Sequence, residues 1–422
     1  MTLRALCRNL VGIPSFHYEP LFARAVRQAI RQVRPEVIAL ELPEWLRGEL
    51  DWALRCWPTA VGSITTDLIV PWIPGDSMLE AGRLAQQLGI RVHLVDLAEA
   101  EPSGERSVAL LPGPEFAPRV GQAFQDAVDA TAEPPSTGDL AREAFMAERL
   151  DELMRRHRRV LWVGGMAHWT RLTGRLERGD FSGPPARGRT PGPCRRVRLG
   201  GSALLRLTGR SPFLVARYAE HPASYDEASA IRHLALDAAR LNRRRREARR
   251  HTYDGEHGPG PAEPAAIDIA RVLVYARNLA ATRTLSDRPG LADLLTAASV
   301  TVGKRYAGQV YLLSMKVARP RRASVAEALR NVPALTYESV GSRQGYRCKG
   351  RWLTVEPVWS PAGPRIEMWV PAPAEVARRQ QAPYRHVPRA QKGSRYAWMA
   401  YPPDEQAYEA YVAHVLRRAS LH

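Results

Sequence analysis

Residues 36–44 read EVIALELPE, with Pro35 just before them and four apolar residues leading into Glu41. A run of this length, rich in branched side chains and bounded by prolines, is the signature of a strand buried on both faces of a parallel sheet. Pro43 and Glu44 then open a helix, as a first-turn proline and an early acid do. Working outward, residues 5–13 end in a short apolar run with a glycine. Residues 20–33 carry Leu21, Phe22, Ala25, Val26, Ala29, Ile30 and Val33 at helical spacing. Residues 77–88 read as a helix capped by Gly89, and residues 90–96 (IRVHLVD) as another strand. Residues 98–137 hold six prolines and read as an insertion around a short helix at 119–130. A long helix at about 139–157 and a strand at 160–163 (VLWV), ending in Gly164 and Gly165, complete the alternation. Strand and helix in turn predict an α/β unit with a mostly parallel central sheet flanked by helices over residues 1–178.

The rest of the chain has a different character. Residues 179–196 hold too many Gly and Pro to form an element, so they predict a linker or loop and a domain edge. Residues 197–320 read as a basic, mainly helical region, with helical patterns over 212–250, 265–284 and 289–316. Residues 321–422 read as a small α+β module, in which GRWLTVEPVW and RIEMWVP flank a Ser-Pro-Ala-Gly-Pro turn and suggest a hairpin. The 422-residue chain carries a formal charge of +18. Residues 1–178 hold 21 basic and 23 acidic residues, so all the excess lies beyond them. Only 4 of the 61 basic residues are Lys, so composition bias weakens any argument from the Arg count alone. Cys7, Cys56, Cys194 and Cys348 are scattered without a C-x-x-C pair, which argues against a disulfide framework and a thiolate zinc site. The first residues lack a signal-peptide pattern, and no apolar run reaches the length of a membrane span, so the expected location is the cytoplasm.

In an α/β unit the strand C-termini are where sites are built. His17 follows the first strand, Glu41 closes the second and His168 follows the last. Two imidazoles and a carboxylate on one rim are a common ligand set for a divalent metal that keeps positions open for water. Such a metal brings the pKa of its water towards about 7. Glu19 is placed as a fourth ligand or general base. Asp96 ends a strand on the same rim; Asp67 and Asp76 are weaker candidates, His93 reads as a satisfied core histidine, and Tyr18 as a packing residue. For each of these the plain alternative is a loop or ion-pair residue. Arg142 has Glu143 or Glu148 nearby as a structural partner, or a role at a developing oxyanion.

Four stretches together resemble a known family. They are Gly165 to His168 as G-x-x-H after an apolar strand, the helix AREAFMAERLDELMRRH, the glutamate in VIALELP, and the opening GIPSFHYEPLFARAVRQAI. Over about residues 8–178 they are similar to the TraB/Tiki, ChaN and erythromycin-esterase superfamily. The resemblance implies an α/β fold of two similar halves, metal-dependent hydrolysis as in the Tiki branch, or ester hydrolysis through histidine without an obligatory metal as in the esterase branch. Carried over by position, His17 and His168 are the motif histidines, Glu41 the early acid, and Arg142 with Glu143 the polar pair of the long helix. In the metal version His17, Glu41 and His168 hold Mn, Co or Zn and Glu19 or Glu143 accepts the proton; in the other, His17 is the base, assisted by Glu41 and Arg142. Gly12 and His17 are five positions apart where the Tiki pattern has G-x-x-H, so the first loop departs from it. The opening is most like a bacterial branch found beside AAA-type ATPases, which implies such an ATPase as partner in a multi-protein, defence-type system.

Arg243, Arg244, Arg245, Arg246, Arg249 and Arg250 form a basic run suited to nucleic acid, phosphate or an acidic protein surface, or simply to a solvated helix end. Aromatics interleave with Arg at Tyr384 to His386 and Arg395 to Trp398. These features support the alternative to a hydrolase: a non-enzymatic scaffold whose basic half docks nucleic acid or an acidic partner. No Walker A motif, no G-x-G-x-x-G after a strand and no G-x-S-x-G elbow occurs, which argues against nucleotide hydrolysis and the common serine hydrolases.

Overall fold

Along the chain run β1 (Ala5–Cys7), β2 (Leu10–Ser15), α1 (Pro20–Val33), β3 (Val37–Pro43) and a 3-10 turn (Glu44–Leu46). Then come α2 (Arg47–Arg55), β4 (Val61–Ile64), β5 (Ile69–Trp72), α3 (Ser77–Leu88) and β6 (Arg91–Asp96). After these follow α4 (Gln122–Thr131), α5 (Thr137–Arg156), β7 (Val160–Gly165) and α6 (Met166–Arg178). The structure, a computed structural model, describes residues 5–65, 69–97, 122–131, 134–184, 194–250, 264–284, 288–317, 322–340, 343–348, 351–353, 358–359, 366–367 and 399–400.

The strand read first from the sequence is central to a sheet of order β1-β2-β7-β3-β6. β2, β7, β3 and β6 are all parallel, and β1 adds an antiparallel edge through a tight turn at Arg8. Strand alternation splits β3 between two cores. Ile38 and Leu40 pack with α1, α2 and α3 through Val26, Ile30, Leu50, Leu79 and Leu84. Val37 and Ala39 pack with α5 and α6 through Met146, Leu150, Trp169 and Leu172. Helices therefore cover both faces, and in such folds sites are built at the strand C-termini.

Gly12 decides how closely α6 meets β2. A Cβ there would overlap the Trp169 ring, which stacks on Trp162 with centroids 5.3 Å apart. We expect Gly12→Ala to destabilise the fold by about 1–3 kcal/mol, the usual range for overpacking. A shift in the midpoint of urea unfolding measures it, and an unchanged midpoint would refute this packing account.

The edge expected near residues 179–196 does not separate independent units. β8 (Arg195–Leu199) starts inside that stretch and pairs antiparallel with β4. It also pairs in parallel with β9 (Ala334–Val340), so a second sheet joins residues from either side of the expected boundary. β10 (Arg343–Cys348) and β11 (Arg351–Leu353) extend it. Val358–Trp359 pairs antiparallel with Ile366–Glu367, and the turn of the hairpin expected there lies outside the described residues.

The helical region comprises α7 (Gly201–Thr208), α8 (Pro212–Glu220), α9 (Glu227–Arg250), α10 (Ala266–Thr284), α11 (Leu291–Thr301) and α12 (Lys304–Ser314). The pattern over 212–250 thus resolves into two helices, broken around Pro222, and that over 289–316 into two, broken at Gly303. Their core, with Tyr218, Ile231, Leu234, Leu294 and Tyr306, takes in Ala23 of α1, so the region is packed on the α/β unit. Among the described residues no helix is long and apolar enough to cross a membrane.

Candidate active site

Glu41, Asp96 and His168 lie at the C-terminal rim of the parallel strands. The register of β3 against β6 shifts between Leu40 and Pro43, so Glu41 falls where the regular pairing is interrupted. The Glu41 carboxylate is buried, and its Oε2 accepts the Gly165 N–H at 2.6 Å at the N-terminus of α6, where a negative charge is favoured. Gly164 permits this approach, since a Cβ there would overlap both Trp162 and that oxygen. Oε1 accepts from Arg142 Nη2 at 2.9 Å. The same guanidinium donates to Asp96, from Nη2 at 2.7 Å and from Nε at 3.0 Å. Burial opposes ionisation of Glu41, but His168, Arg142, His17 and the Gly165 N–H outweigh it and hold its pKa below the ordinary value.

His168 stands in the first turn of α6 with only 5% of its side chain exposed. Its Nδ1 is 2.7 Å from Glu143 Oε1 and its Nε2 is 3.5 Å from Glu41 Oε1. Glu143 is fully buried and also accepts from Arg171 Nη2 at 2.6 Å and Nε at 2.9 Å. Burial would raise the Glu143 pKa, yet the hydrogen bonds from His168 and Arg171 bring it below the usual range.

His17 differs from the other histidine in being open, with 40% of its side chain exposed. Its Nδ1 is 3.7 Å from Oδ2 of Asp76, which is buried. Asp76 is the N-cap of α3: Oδ1 accepts from the Met78 and Leu79 N–H groups at 2.9 and 3.0 Å, while Oδ2 accepts the Tyr18 N–H at 3.2 Å. Burial opposes the charge on Asp76, but His17 and the Leu79 and Tyr18 N–H groups keep its pKa low. On His17 the surrounding protein disfavours the cation, while Asp76 and then Glu41 favour it more strongly, so its pKa is raised; Arg142 opposes. Between His17 and α1, Tyr18 takes φ +62°, a left-handed conformation that a tyrosine adopts at a cost of about 1–3 kcal/mol. The surrounding contacts hold it there: its ring packs on the cluster of Ala60, Ile64, Leu204 and Val215. α4, the predicted insertion helix, covers the flank by packing Phe124 and Val128 against Phe22, Met166 and Phe16.

Several expectations change in this light. Glu19, expected as a ligand or base, instead forms an ion pair with Arg210. Glu143, expected as a proton acceptor, is saturated by His168 and Arg171. Arg142 finds its partners on β3 and β6, not in Glu143 or Glu148 on its own helix. His93 is half-buried and its Nε2 has no hydrogen-bond partner among the described residues, so it is not the satisfied core histidine expected. Both oxygens of Glu41 are engaged, one by the Arg142 guanidinium and one by the Gly165 N–H, and among the described residues no group of three His, Cys, Asp or Glu is placed to hold an ion. Asp67 lies outside the described residues, as do Tyr384 to His386 and Arg395 to Trp398; Arg243 to Arg246, Arg249 and Arg250 lie on α9, with side chains outside the described set.

Arg171 was not anticipated, although its position three residues after His168 on one helix face was a usable signal. Asp76, a weaker candidate by sequence, stands just before a helical run, which is an N-cap signature. Cys7, Cys56 and Cys194 are free thiols. Comparison of the chain with family models, curated proteins and solved structures finds no match.

Proposed function

We propose that this chain is a hydrolase of carboxylic esters in which His17 is the general base and Asp76 its orienting carboxylate. The observation that carries the reading is a solvent-open imidazole whose inner nitrogen faces a buried carboxylate with three backbone N–H partners of its own. A carboxylate beside Nδ1 favours the tautomer with the proton on that nitrogen, leaving the Nε2 lone pair outward for a proton acceptor role. Nε2 takes a proton from water as its oxygen bonds to the ester carbonyl carbon. The resulting imidazolium returns that proton to the alkoxide as the C–O bond breaks. Arg142 is near enough to act on the charge of His17, but Glu41 and Asp96 balance its cation and Glu41 takes the Gly165 N–H at the N-terminal end of α6, so these groups shape the rim and are not assigned to an oxyanion. Glu41, Asp96, His168, Glu143 and Arg171 hold that cation and that helix end in place.

The test is hydrolysis of p-nitrophenyl esters of graded acyl length by the full chain in EDTA, alongside phosphoester and peptide substrates. We expect ester hydrolysis that the chelator leaves unchanged. Hydrolysis seen only after adding Mn, Co or Zn would replace this mechanism with a metal one. Absence of all hydrolysis would leave the scaffold reading.

A further inference from the structure

The residues after His17 lie between the α/β unit and the helical region. Tyr18 packs against a buried cluster that includes Leu204 of α7 and Val215 of α8. Glu19 is the N-cap residue of α1, yet its carboxylate makes no cap hydrogen bond and is turned to Arg210. Pro20 packs beside Gly75, which in turn lies against Tyr218 of α8. Arg210 sits in the turn between α7 and α8, where its N–H donates to Thr208 Oγ1 at 3.2 Å. The neighbouring Ser211 is buried and its hydroxyl donates to the Ser314 carbonyl at the end of α12 at 2.9 Å. The guanidinium, 16% exposed, therefore projects from a fixed backbone, and it reaches Glu227 of α9 at 3.2 Å as well as Glu19. Pairs this sheltered are not the interchangeable surface kind.

We infer that Arg210 is a positioning residue for His17: by clamping Glu19 it lets the helical region hold the β2–α1 loop, with its left-handed Tyr18, where the imidazole faces Asp76. This deepens the reading of His17 as the base and rests on it for its catalytic consequence, although the clamp itself does not. The helical region is then part of the active unit. Loss of the clamp leaves Asp76 and the rim network intact but frees the loop to relax from its strained backbone, and small displacements of a reacting group have large rate effects.

The experiment compares Arg210→Ala, Arg210→Lys and Glu19→Gln in the full chain, reading ester hydrolysis and amide hydrogen exchange at Tyr18, whose N–H is bound by Asp76. We expect Arg210→Ala to lower kcat about tenfold or more through misplacement while KM stays within about twofold. Tyr18 exchange should rise about tenfold while Val163 in the sheet core stays protected. Lys restores a cation and should recover most of both effects; Glu19→Gln should give the exchange effect even if the Ala variant fails to fold. Unchanged Tyr18 exchange in Arg210→Ala and Glu19→Gln would overturn the clamp. So would exchange rising equally at Tyr18 and Val163, which marks general destabilisation. If the wild-type chain hydrolyses no ester, the exchange arm still decides the clamp and only the base assignment falls.

Discussion

His17→Gln is expected to lower ester hydrolysis by about 10²–10⁴-fold, the usual contribution of a general base, with KM little changed. Gln keeps much of the side chain's size and hydrogen-bonding capacity but cannot take a proton near neutrality. The side chain is 40% exposed, so its loss leaves no cavity and the fold should be retained. The pH profile carries the stronger claim. The base must be neutral, so kcat/KM falls on the acid side as His17 protonates. Because Asp76 and Glu41 outweigh the penalty for charging the imidazole, that limb should lie above the ordinary histidine pKa of about 6.5. Asp76→Asn removes the largest favourable influence, so the limb should move to lower pH while kcat drops through lost orientation. A limb that stays put in Asp76→Asn, or a wild-type rate untouched by His17→Gln, sinks the assignment.

What the sequence disclosed follows from how local each signal was. β3 was legible because a buried parallel strand reads as an unbroken apolar run, and α3 because Gly89 closes it in the left-handed conformation that favours glycine. β4 and β5 were not: four residues each, VGSI and IVPW, carry no alternation, and β4 gains much of its identity from β8, far along the chain. For the same reason the apparent linker at 179–196 hid the start of a strand. At the site, the strand-end rule located His17, Glu41 and His168, because backbone topology alone delivers them to one rim. It could not say which groups they would meet. Arg142 was weighed against acids on its own helix, but an adjacent residue such as Glu143 points elsewhere on a helix, and the real partners come from two strands. Asp76 reaches the His17 loop across 58 positions of sequence, a pairing visible only in the folded chain.

Arg142→Ala is expected to destabilise the fold by about 3–5 kcal/mol, the range for removing one partner of a buried ion pair. That is a large part of the stability of a typical protein, about 5–15 kcal/mol. The guanidinium serves two buried carboxylates at once, Glu41 and Asp96. Without it, Glu41 keeps the Gly165 N–H and a His168 nitrogen 3.5 Å away, and Asp96 keeps the Leu97 N–H, too little to offset their loss of water. The pH dependence distinguishes this from simple loss of packing. Glu41 has a lowered pKa in the folded chain, so in the wild type its ionisation stabilises the fold above the unfolded carboxylate pKa of about 4, and this is lost as pH falls through the folded value. In Arg142→Ala that carboxylate keeps His168, His17 and the Gly165 N–H but loses the guanidinium, so it is held down less and the stability gap between wild type and variant should be widest near neutrality and narrow towards pH 4. A triple change, Arg142→Met with Glu41→Gln and Asp96→Asn, removes the unpaired charges and should recover a large share of the loss, because a well-packed apolar replacement of a buried ion network is often close to neutral. Urea unfolding of the three proteins at pH 7 and pH 4.5 decides it. A gap that is the same at both pH values, or a triple variant no more stable than Arg142→Ala, would mean that Arg142 acts through its bulk and not through its charge.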